Sequence, residues 1–244
     1  MKQIIIVGLL VIGIIGGAVV LSGDSNDVSG EPSNFFYGKE DAEVVFTEFA
    51  DFECPACASF FPTIDTVKEA FKDSVRFEFV NFPLVQIHQN AIAAHRAGVA
   101  AGNQGKFWEM HDLLYQNQEA WNGPSANDSV GVSASRANEL FEQYANSLEL
   151  DTEKFLIDLK APETIGVINA DIAKGKQFGI ESTPSFQLNG ENIEQINQLV
   201  TVEGLTAFLQ NALEEADQSD NSAESLPENP GTPEETPEAR PEEE

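Results

Sequence analysis

The 244-residue sequence predicts an α/β domain with a helical insertion, preceded by a transmembrane anchor and followed by a disordered acidic tail. Two observations predict the α/β class: strand patterns flank an amphipathic helix early in the chain, and two short strand patterns precede the last helix. Helical spacing over about residues 86–177 predicts the insertion. We divide the chain into an anchor at 1–22, a flexible stalk at 23–33, one domain at 34–216 and the tail at 217–244.

The composition narrows the class of partner. The chain carries 41 Asp and Glu residues against 13 Lys and Arg residues, a net charge of −28. Binding to nucleic acid or anionic lipid needs clustered Lys and Arg, so we expect no nucleic-acid partner. A chain of this length buries a sizeable core, so its two cysteines are not needed to stabilise the fold.

The apolar segment Ile4–Leu21 predicts a membrane-spanning helix of about 27 Å. A cleaved signal peptide is the alternative, but its apolar region is usually ~7–15 residues long and ends in a small-residue cleavage site. The exit here, Val20–Gly23, is a poor site, which favours an uncleaved anchor. Because Lys2 lies on the amino-terminal side, residues from about 24 onward are placed outside the cytoplasm.

The segments flanking the domain have compositions typical of unfolded chain. Residues 23–33 are rich in Ser, Gly and Asp, which predicts the flexible stalk. Residues 217–244 combine many Glu and Pro residues with almost no large apolar groups, which predicts the disordered tail.

Within the domain, Ala42–Phe49 is apolar on both alternating faces, as in a buried central strand. A helix follows from about Pro55, and Val75–Phe82 alternates as a second strand. After the insertion, Asn189-Gly190 is a strong hairpin signal. Three further elements are predicted around and after this turn: strand Ser185–Leu188, strand Asn192–Ile196 and helix Val202–Ala216.

The chemistry is concentrated in the Cys-Pro-Ala-Cys motif at residues 54–57, between the first strand and its helix. Unpaired N–H groups and the helix dipole favour a thiolate at Cys54, which makes it a nucleophile. Cys57 would then resolve a mixed disulfide. An inert structural disulfide and half a zinc site are the alternatives, but a four-residue ring removes little chain entropy and zinc needs two more ligands. The context favours a redox role without metal or cofactor.

The motif and its surroundings resemble the DsbA-like thiol–disulfide oxidoreductases of the thioredoxin superfamily. Glu48–Cys57 (EFADFECPAC) looks like their active site, Pro62 like the proline within their first helix, and Lys106–Leu114 (KFWEMHDLL) like an insertion helix of the membrane-anchored members. Gly179–Phe186 (GIESTPSF) resembles their cis-proline segment. The resemblance covers nearly all of residues 40–214 and implies a thioredoxin-like fold with a helical insertion.

The resemblance also implies roles for further residues. Pro184 is expected to follow a cis peptide bond that turns the Thr183 backbone toward Cys54, for pairing with an extended substrate. Pro55 and Ala56, between the two cysteines, are expected to contact the substrate as well.

Glu48 shares a strand face with buried apolar residues, so we expect it to be buried, to have a raised pKa and to exchange a proton with Cys57. A Glu that simply finds a structural partner is the alternative. Asp51, Phe52 and Glu53 are interpreted as a substrate-facing rim without chemistry.

The family often carries a His where this chain has Ala56, which argues against a strongly oxidising disulfide. The chain has no cysteines besides Cys54 and Cys57, so an external partner must recycle it. The resemblance implies a quinone-coupled membrane protein of the DsbB or VKOR type for that role. We therefore expect an anchored extracytoplasmic enzyme that introduces disulfides into cysteine-containing secreted or surface proteins. A reductase or isomerase on the same fold, and a non-catalytic peptide-binding or chaperone module, are the alternatives.

Overall fold

The computed structural model describes residues 30–122 and 130–224, which form a five-stranded mixed sheet with helices on both faces. The strands are β1 (Phe35–Gly38), β2 (Val44–Ala50), β3 (Val75–Asn81), β4 (Ser185–Leu188) and β5 (Glu191–Asn192). The helices are α1 (Pro55–Phe71), α2 (Ala91–Gly102), α3 (Phe107–Gln116), α4 (Gln118–Asn122), α5 (Val130–Ser147), α6 (Thr152–Asp158), α7 (Pro162–Gln177) and α8 (Val202–Glu224), with a 3₁₀ helix at Ile196–Leu199.

The sheet order is β1-β3-β2-β4-β5, with β2 at the centre. β2 runs parallel to β3 and antiparallel to β4, and its side chains alternate between the two faces. Phe46 lies in the core shared with α1 and α8, whereas Phe49 lies in the core on the α7 face. The predicted α/β class with a helical insertion, now α2–α7, is confirmed.

Several elements of the structure lie where the sequence predicts them. β2, α1, β3 and β4 occupy the predicted segments, and α1 continues through Pro62. In the hairpin, Asn189 and Gly190 both have positive φ, 49° and 84°, as a type I′ turn requires. Leu188 and Glu191 pair directly on either side of this turn.

Two strand assignments need correction. β1, a four-residue edge strand that pairs antiparallel with β3, is not among the strands predicted from the sequence. The predicted strand Asn192–Ile196 is wrong in extent: β5 ends at Asn192, and Ile196 begins the 3₁₀ helix. One more backbone hydrogen bond follows the pairing of β5, from the Ile193 N–H to the Phe186 carbonyl oxygen at 2.9 Å, and the chain then leaves the sheet.

The boundaries of the predicted stalk and tail also differ from the structure. α8 continues to Glu224, past the predicted end at Ala216, because no Pro or Gly interrupts the chain there. The last predicted stalk residue is held in place, since the Ser33 N–H and hydroxyl donate to Asp171 over 2.8 and 2.6 Å. The predicted anchor, residues 23–29 and residues 225–244 lie outside the described residues. No helix within 30–122 and 130–224 is long and apolar enough to cross a membrane.

The insertion packs against the start of α1 through one large core. Phe52, just before the cysteine motif, is fully buried and stacks on Phe79 of β3. The same core contains Trp121, Phe141 and Phe155 from α4, α5 and α6. Burying several aromatic side chains in this way contributes a large part of the apolar stabilisation of such a domain. The insertion is therefore part of the platform that supports the motif.

The Asp171 side chain on α7 links Ser33, just before β1, to Asn81 at the end of β3. Its carboxylate accepts the two Ser33 hydrogen bonds and two more from Asn81, from the side-chain amide at 2.6 Å and the backbone N–H at 3.2 Å. Asp171 and Asn81 are both fully buried, so removing the carboxylate leaves donors without water to replace it.

We predict that Asp171→Ala lowers the free energy of unfolding by about 3 kcal/mol, because buried donors lose their acceptor. Ser33→Ala removes one hydroxyl donor and leaves the Asn81 bonds, so it should cost about 1 kcal/mol. Urea unfolding of both variants measures the two values. Equal losses in the two variants would show that the buried carboxylate has no special weight.

Candidate active site

Cys54 is the N-cap residue of α1, and Pro55 follows at the first helical position. Proline suits this position because its missing N–H is one of those that the helix leaves unpaired. The next two N–H groups, of Ala56 and Cys57, lie close enough to the Cys54 sulfur to stabilise a thiolate there. Both cysteines are free thiols; Cys54 is 6% exposed and Cys57 is fully buried one turn into the helix.

The surroundings of Cys54 lower its pKa to about 5. A hydrogen bond from the Cys57 thiol is the main cause; burial opposes it, and Thr183 and the N–H groups of Cys57 and Ala56 add to it. A thiol with this pKa is largely a thiolate at neutral pH, and the thiolate is the nucleophilic form.

The pKa of Cys57 is shifted in the opposite direction. Burial raises its pKa well above the ordinary value, and hydrogen bonding to Cys54 together with the negative charges of Glu48 and Cys54 raises it further. Cys57 is therefore a thiol at neutral pH. The two cysteines of the motif therefore differ in charge at neutral pH, although they lie only one helical turn apart.

The proline segment lies directly against Cys54. The Thr183–Pro184 bond is cis, Pro184 is buried, and the Cys54 sulfur lies 3.4 Å from the Thr183 carbonyl oxygen. The Thr183 hydroxyl is buried without a hydrogen-bond partner among the described residues, and Thr183 lowers the pKa of Cys54. Pro55 and Ala56 are exposed beside this segment. All the residues predicted for substrate contact thus meet at one edge.

Glu48 lies beneath the cysteines on β2 and is 6% exposed. Burial raises its pKa to about 8; Lys68 on α1 lowers it, and the negative charge of Cys54 raises it. Glu48 is therefore a buried acid that is protonated at neutral pH and loses its proton in mildly alkaline solution.

The interpretation of Asp51, Phe52 and Glu53 as an exposed rim is wrong, because all three are buried. The Asp51 carboxylate accepts the N–H of Glu53 at 2.8 Å and of Leu84 at 2.7 Å, and it contacts His88 Nδ1 at 2.7 Å. Burial alone would raise the pKa of Asp51, but His95, His88 and the Leu84 N–H lower it to about 2. Asp51 is thus an ionised carboxylate that ties the loop before Cys54 to the segment after β3.

Two insertion residues bind the same loop. The Glu53 carboxylate accepts the Asn90 N–H at 2.6 Å at the start of α2, while burial raises its own pKa. The Gln118 side-chain amide donates to the carbonyl oxygens of Phe52 and Cys54 at 2.8 and 3.1 Å. Sequence reasoning missed these contacts because the partners lie far apart in the chain. Among the described residues, no group of three or more His, Cys, Asp or Glu side chains is placed to hold a metal ion.

A thiolate at a helix N-terminus, a buried second thiol and an adjacent cis-proline on a mixed sheet define a thioredoxin-like oxidoreductase. The Thioredoxin_4 family model, described as thioredoxin, matches residues 31–211. The chain belongs to this family, and it is an oxidoreductase of the DsbA-like type, as the resemblance predicted.

Solved structures give the same assignment. A thioredoxin-like oxidoreductase from Silicibacter pomeroyi DSS-3 is 26% identical, with a TM-score of 0.55 over 75% of this chain and 92% of that one. BdbD from Bacillus subtilis has the same fold, with 24% identity and a TM-score of 0.58 over 77% of this chain and 98% of that one.

Curated relatives include much longer proteins. Na(+)/H(+) antiporter NhaA 3 from Salinispora tropica is 33% identical over 205 residues, which cover 80% of this chain and 29% of that protein. Na(+)/H(+) antiporter NhaA from Herminiimonas arsenicoxydans is 31% identical, covering 64% of this chain and 22% of that protein. This chain therefore spans less than a third of the length of either relative.

We predict that Asp51 makes the protein sensitive to acid. A carboxyl group whose folded pKa is depressed stabilises the fold above its unfolded pKa and loses this effect as the pH falls through the folded value. For Asp51 this window runs from 3.8 down to about 2, and the loss is roughly 2 kcal/mol. Denaturant unfolding between these pH values should show a clearly flatter pH dependence in Asp51→Asn.

Asp73→Asn, at an exposed aspartate, is the matched control and should keep the steep dependence of the unsubstituted protein. The assignment fails if Asp51→Asn and the unsubstituted protein lose stability in parallel over this window.

Proposed function

We propose that this protein is an extracytoplasmic thiol–disulfide oxidoreductase that introduces disulfides into substrate proteins through Cys54 and Cys57. The observation that carries the proposal is the opposed charge state of the two cysteines: burial and hydrogen bonding favour a thiolate at Cys54 and a thiol at Cys57. Such a pair forms a disulfide whose cleavage releases a stabilised thiolate, and this favours transfer of the disulfide to a substrate.

The reaction proceeds in two exchanges. A substrate thiolate attacks the Cys54 sulfur of the oxidised enzyme, a substrate–Cys54 disulfide forms, and Cys57 leaves with the electron pair of the broken bond. A second substrate thiolate then attacks the substrate sulfur of this mixed disulfide, and Cys54 leaves as a thiolate. The substrate is oxidised to a disulfide, and the enzyme is reduced to a dithiol.

Substrate recognition at this site uses the backbone of the proline segment. The Thr183 carbonyl lies 3.4 Å from the Cys54 sulfur, so a peptide bonded to that sulfur runs beside Thr183 and Pro184. Extended peptides pair with an exposed backbone edge in this way and read few side chains. The exposed Pro55 and Ala56 would contact residues that flank the substrate cysteine.

Glu48 is proposed to supply the proton that Cys57 takes up. At neutral pH Glu48 is protonated and lies close enough to Cys57 to influence its pKa. When Cys57 leaves as a thiolate in this buried place, transfer of the Glu48 proton removes an anion that the site does not hold well.

The direction of net transfer depends on how strongly the site stabilises the Cys54 thiolate. Stabilisation equivalent to one pKa unit raises the reduction potential by roughly 30 mV. Ala56 adds no side-chain donor, so we expect a potential between those of thioredoxin and of strongly oxidising relatives. Equilibration with glutathione measures it: a potential as low as that of thioredoxin would assign the protein to the reductases, and a redox-silent pair would leave only a peptide-binding role.

We further propose that Ile4–Leu21 anchors the enzyme in the membrane with the domain outside, and that a membrane protein of the DsbB or VKOR type reoxidises it. The apolar length of the segment and the charge of Lys2 support the anchor. The chain contains only two cysteines, so electrons from Cys54 and Cys57 must pass to another protein. The longer relatives named as antiporters support a location at the membrane.

We predict that the two cysteines differ in reactivity. Cys54 should be alkylated with a pH midpoint of about 5, and Cys57 should react far more slowly because it is buried and protonated. Alkylation followed by mass spectrometry from pH 3 to 9 gives both profiles. Cys57→Ser should accumulate mixed disulfides with substrate proteins, whereas the matched Cys54→Ser should accumulate none. Faster reaction at Cys57 would reverse the assigned roles.

We predict that a protease added to intact cells digests the domain and leaves Lys2 protected, because the anchor keeps the amino terminus inside. A variant carrying Lys and Arg residues in place of the acids just after Leu21 is the control, since it weakens the charge asymmetry that sets the orientation. A domain found free in the growth medium would instead indicate a cleaved signal peptide.

A further inference from the structure

Tyr115, at the end of α3, lies at the boundary between the insertion and the buried side of the cysteine motif. Its ring packs against Phe61 of α1, with ring centroids 5.4 Å apart, and against Phe52 at 5.1 Å. Phe61 follows Cys57 by one helical turn, so these contacts place Tyr115 beside the inner face of the motif. Tyr115 is only 5% exposed.

The Tyr115 hydroxyl group is buried and has no hydrogen-bond partner among the described residues. A buried tyrosine usually places its hydroxyl against an acceptor, and leaving it unpaired costs free energy. A phenylalanine would fill the same aromatic cluster without this cost. The hydroxyl therefore needs an explanation beyond packing.

Two acceptors that would suit the hydroxyl, Cys57 and Glu48, are near it but uncharged in the reduced resting state. Burial raises the pKa of Tyr115 well above its ordinary value, and negative charge on Cys57, Glu48, Asp51 and Cys54 raises it further, with Cys57 foremost among these. Tyr115 thus keeps its proton throughout the working pH range and can only donate. Cys57 and Glu48 carry their own protons at neutral pH, so these two groups become anionic only when exchange begins.

A polar cleft gives water access to this side of the motif. The cleft has a volume of about 760 Å³ and opens beside the start of α1. Pro55, Ala58 and Ser59 line it from α1, and Tyr115 and Gln118 line it from the insertion. Tyr115 therefore borders both the cleft and the aromatic cluster beside the motif.

We propose that Tyr115 is a positioning residue whose hydroxyl donates a hydrogen bond to the negative charge that forms on Cys57, and then on Glu48, during disulfide exchange. The inference rests on the proposed oxidoreductase function. When a substrate thiolate attacks Cys54, the Cys54–Cys57 bond breaks and Cys57 becomes a thiolate. The Glu48 carboxyl proton moves to Cys57, leaving a Glu48 carboxylate, and Glu48 later regains a proton that comes from solvent.

Several neighbouring side chains contribute to the pH dependence of Cys57. Charged and titratable groups face Cys57, Glu48 and Tyr115 from each element packed around them. They are Glu48 and Asp51 from β2 and its following loop, Cys54 and Lys68 from α1, His95 from α2, and His111 and Asp112 from α3. Tyr115→Phe leaves all of them in place, so a change in the pH profile reports the hydroxyl alone.

The test uses Cys57 without its partner. In the Cys54→Ser background, the alkylation rate of Cys57 as a function of pH reports how well the site holds the Cys57 thiolate. Adding Tyr115→Phe should move the midpoint upward by about one pH unit and slow alkylation about tenfold below it, because a hydrogen bond to a charged group is lost. Tyr144→Phe, which removes a partly buried hydroxyl on α5, should leave the profile unchanged.

A second variant keeps the test decisive if Tyr115→Phe folds poorly. Site-specific 3-fluorotyrosine at position 115 keeps the ring and makes the hydroxyl a stronger donor, so the midpoint should move downward. An unchanged midpoint in either folded variant overturns the proposal. Failure of the unsubstituted protein to equilibrate with glutathione would instead overturn the proposed function, because the alkylation measurement needs no disulfide.

Discussion

The ionised Asp51 carboxylate, buried between the sheet and the insertion, is the interaction on which the site depends. It holds the N–H groups of Glu53 and Leu84 and contacts His88, so the loop leaving β2 has one conformation. Burying a charge is unfavourable unless its acceptor positions are filled, and here they are filled by groups from two separate segments. The Cys54 position at the start of α1 follows from that loop, since the Cys54 N–H also bonds to the Asp51 carbonyl.

Once Cys54 is placed at the helix start, the different character of the two thiols follows from position alone. The first sulfur accepts from the Cys57 thiol and also meets unpaired N–H groups, whereas the second is buried in an apolar core, so the pKa values of the two thiols shift in opposite directions. Glu48 lies behind the second thiol and remains protonated for the same reason, burial. The site therefore orders three groups by depth: a thiolate at the rim, a thiol below it and an acid beneath both.

Local sequence signals predicted the parts of the fold that depend on neighbouring residues. The β2 run, α1 from Pro55 and the Asn189-Gly190 turn are set by periodicity, capping and backbone preference within a few positions. The remaining features of the fold depend on contacts between residues that are far apart in the chain. Asp51 is not the substrate-facing rim residue that the sequence suggests, because His88 and Leu84, more than thirty positions later, fill its acceptor positions in the interior. The short edge strand β1 likewise acquires its strand conformation from β3.

The contact between Glu53 and the start of α2 bears on how such proteins diversify. Glu53, next to Cys54, accepts the N–H of Asn90 at the start of α2, and the Gln118 amide from the insertion donates to the Cys54 carbonyl oxygen. An insertion transplanted into another domain of this fold would keep these contacts only where the recipient supplies an acceptor for the N–H at the start of α2. Exchanging the insertion alone separates Glu53 and Cys54 from Asn90 and Gln118. The cysteine loop and the helical segment therefore stabilise each other, although they are far apart in the chain.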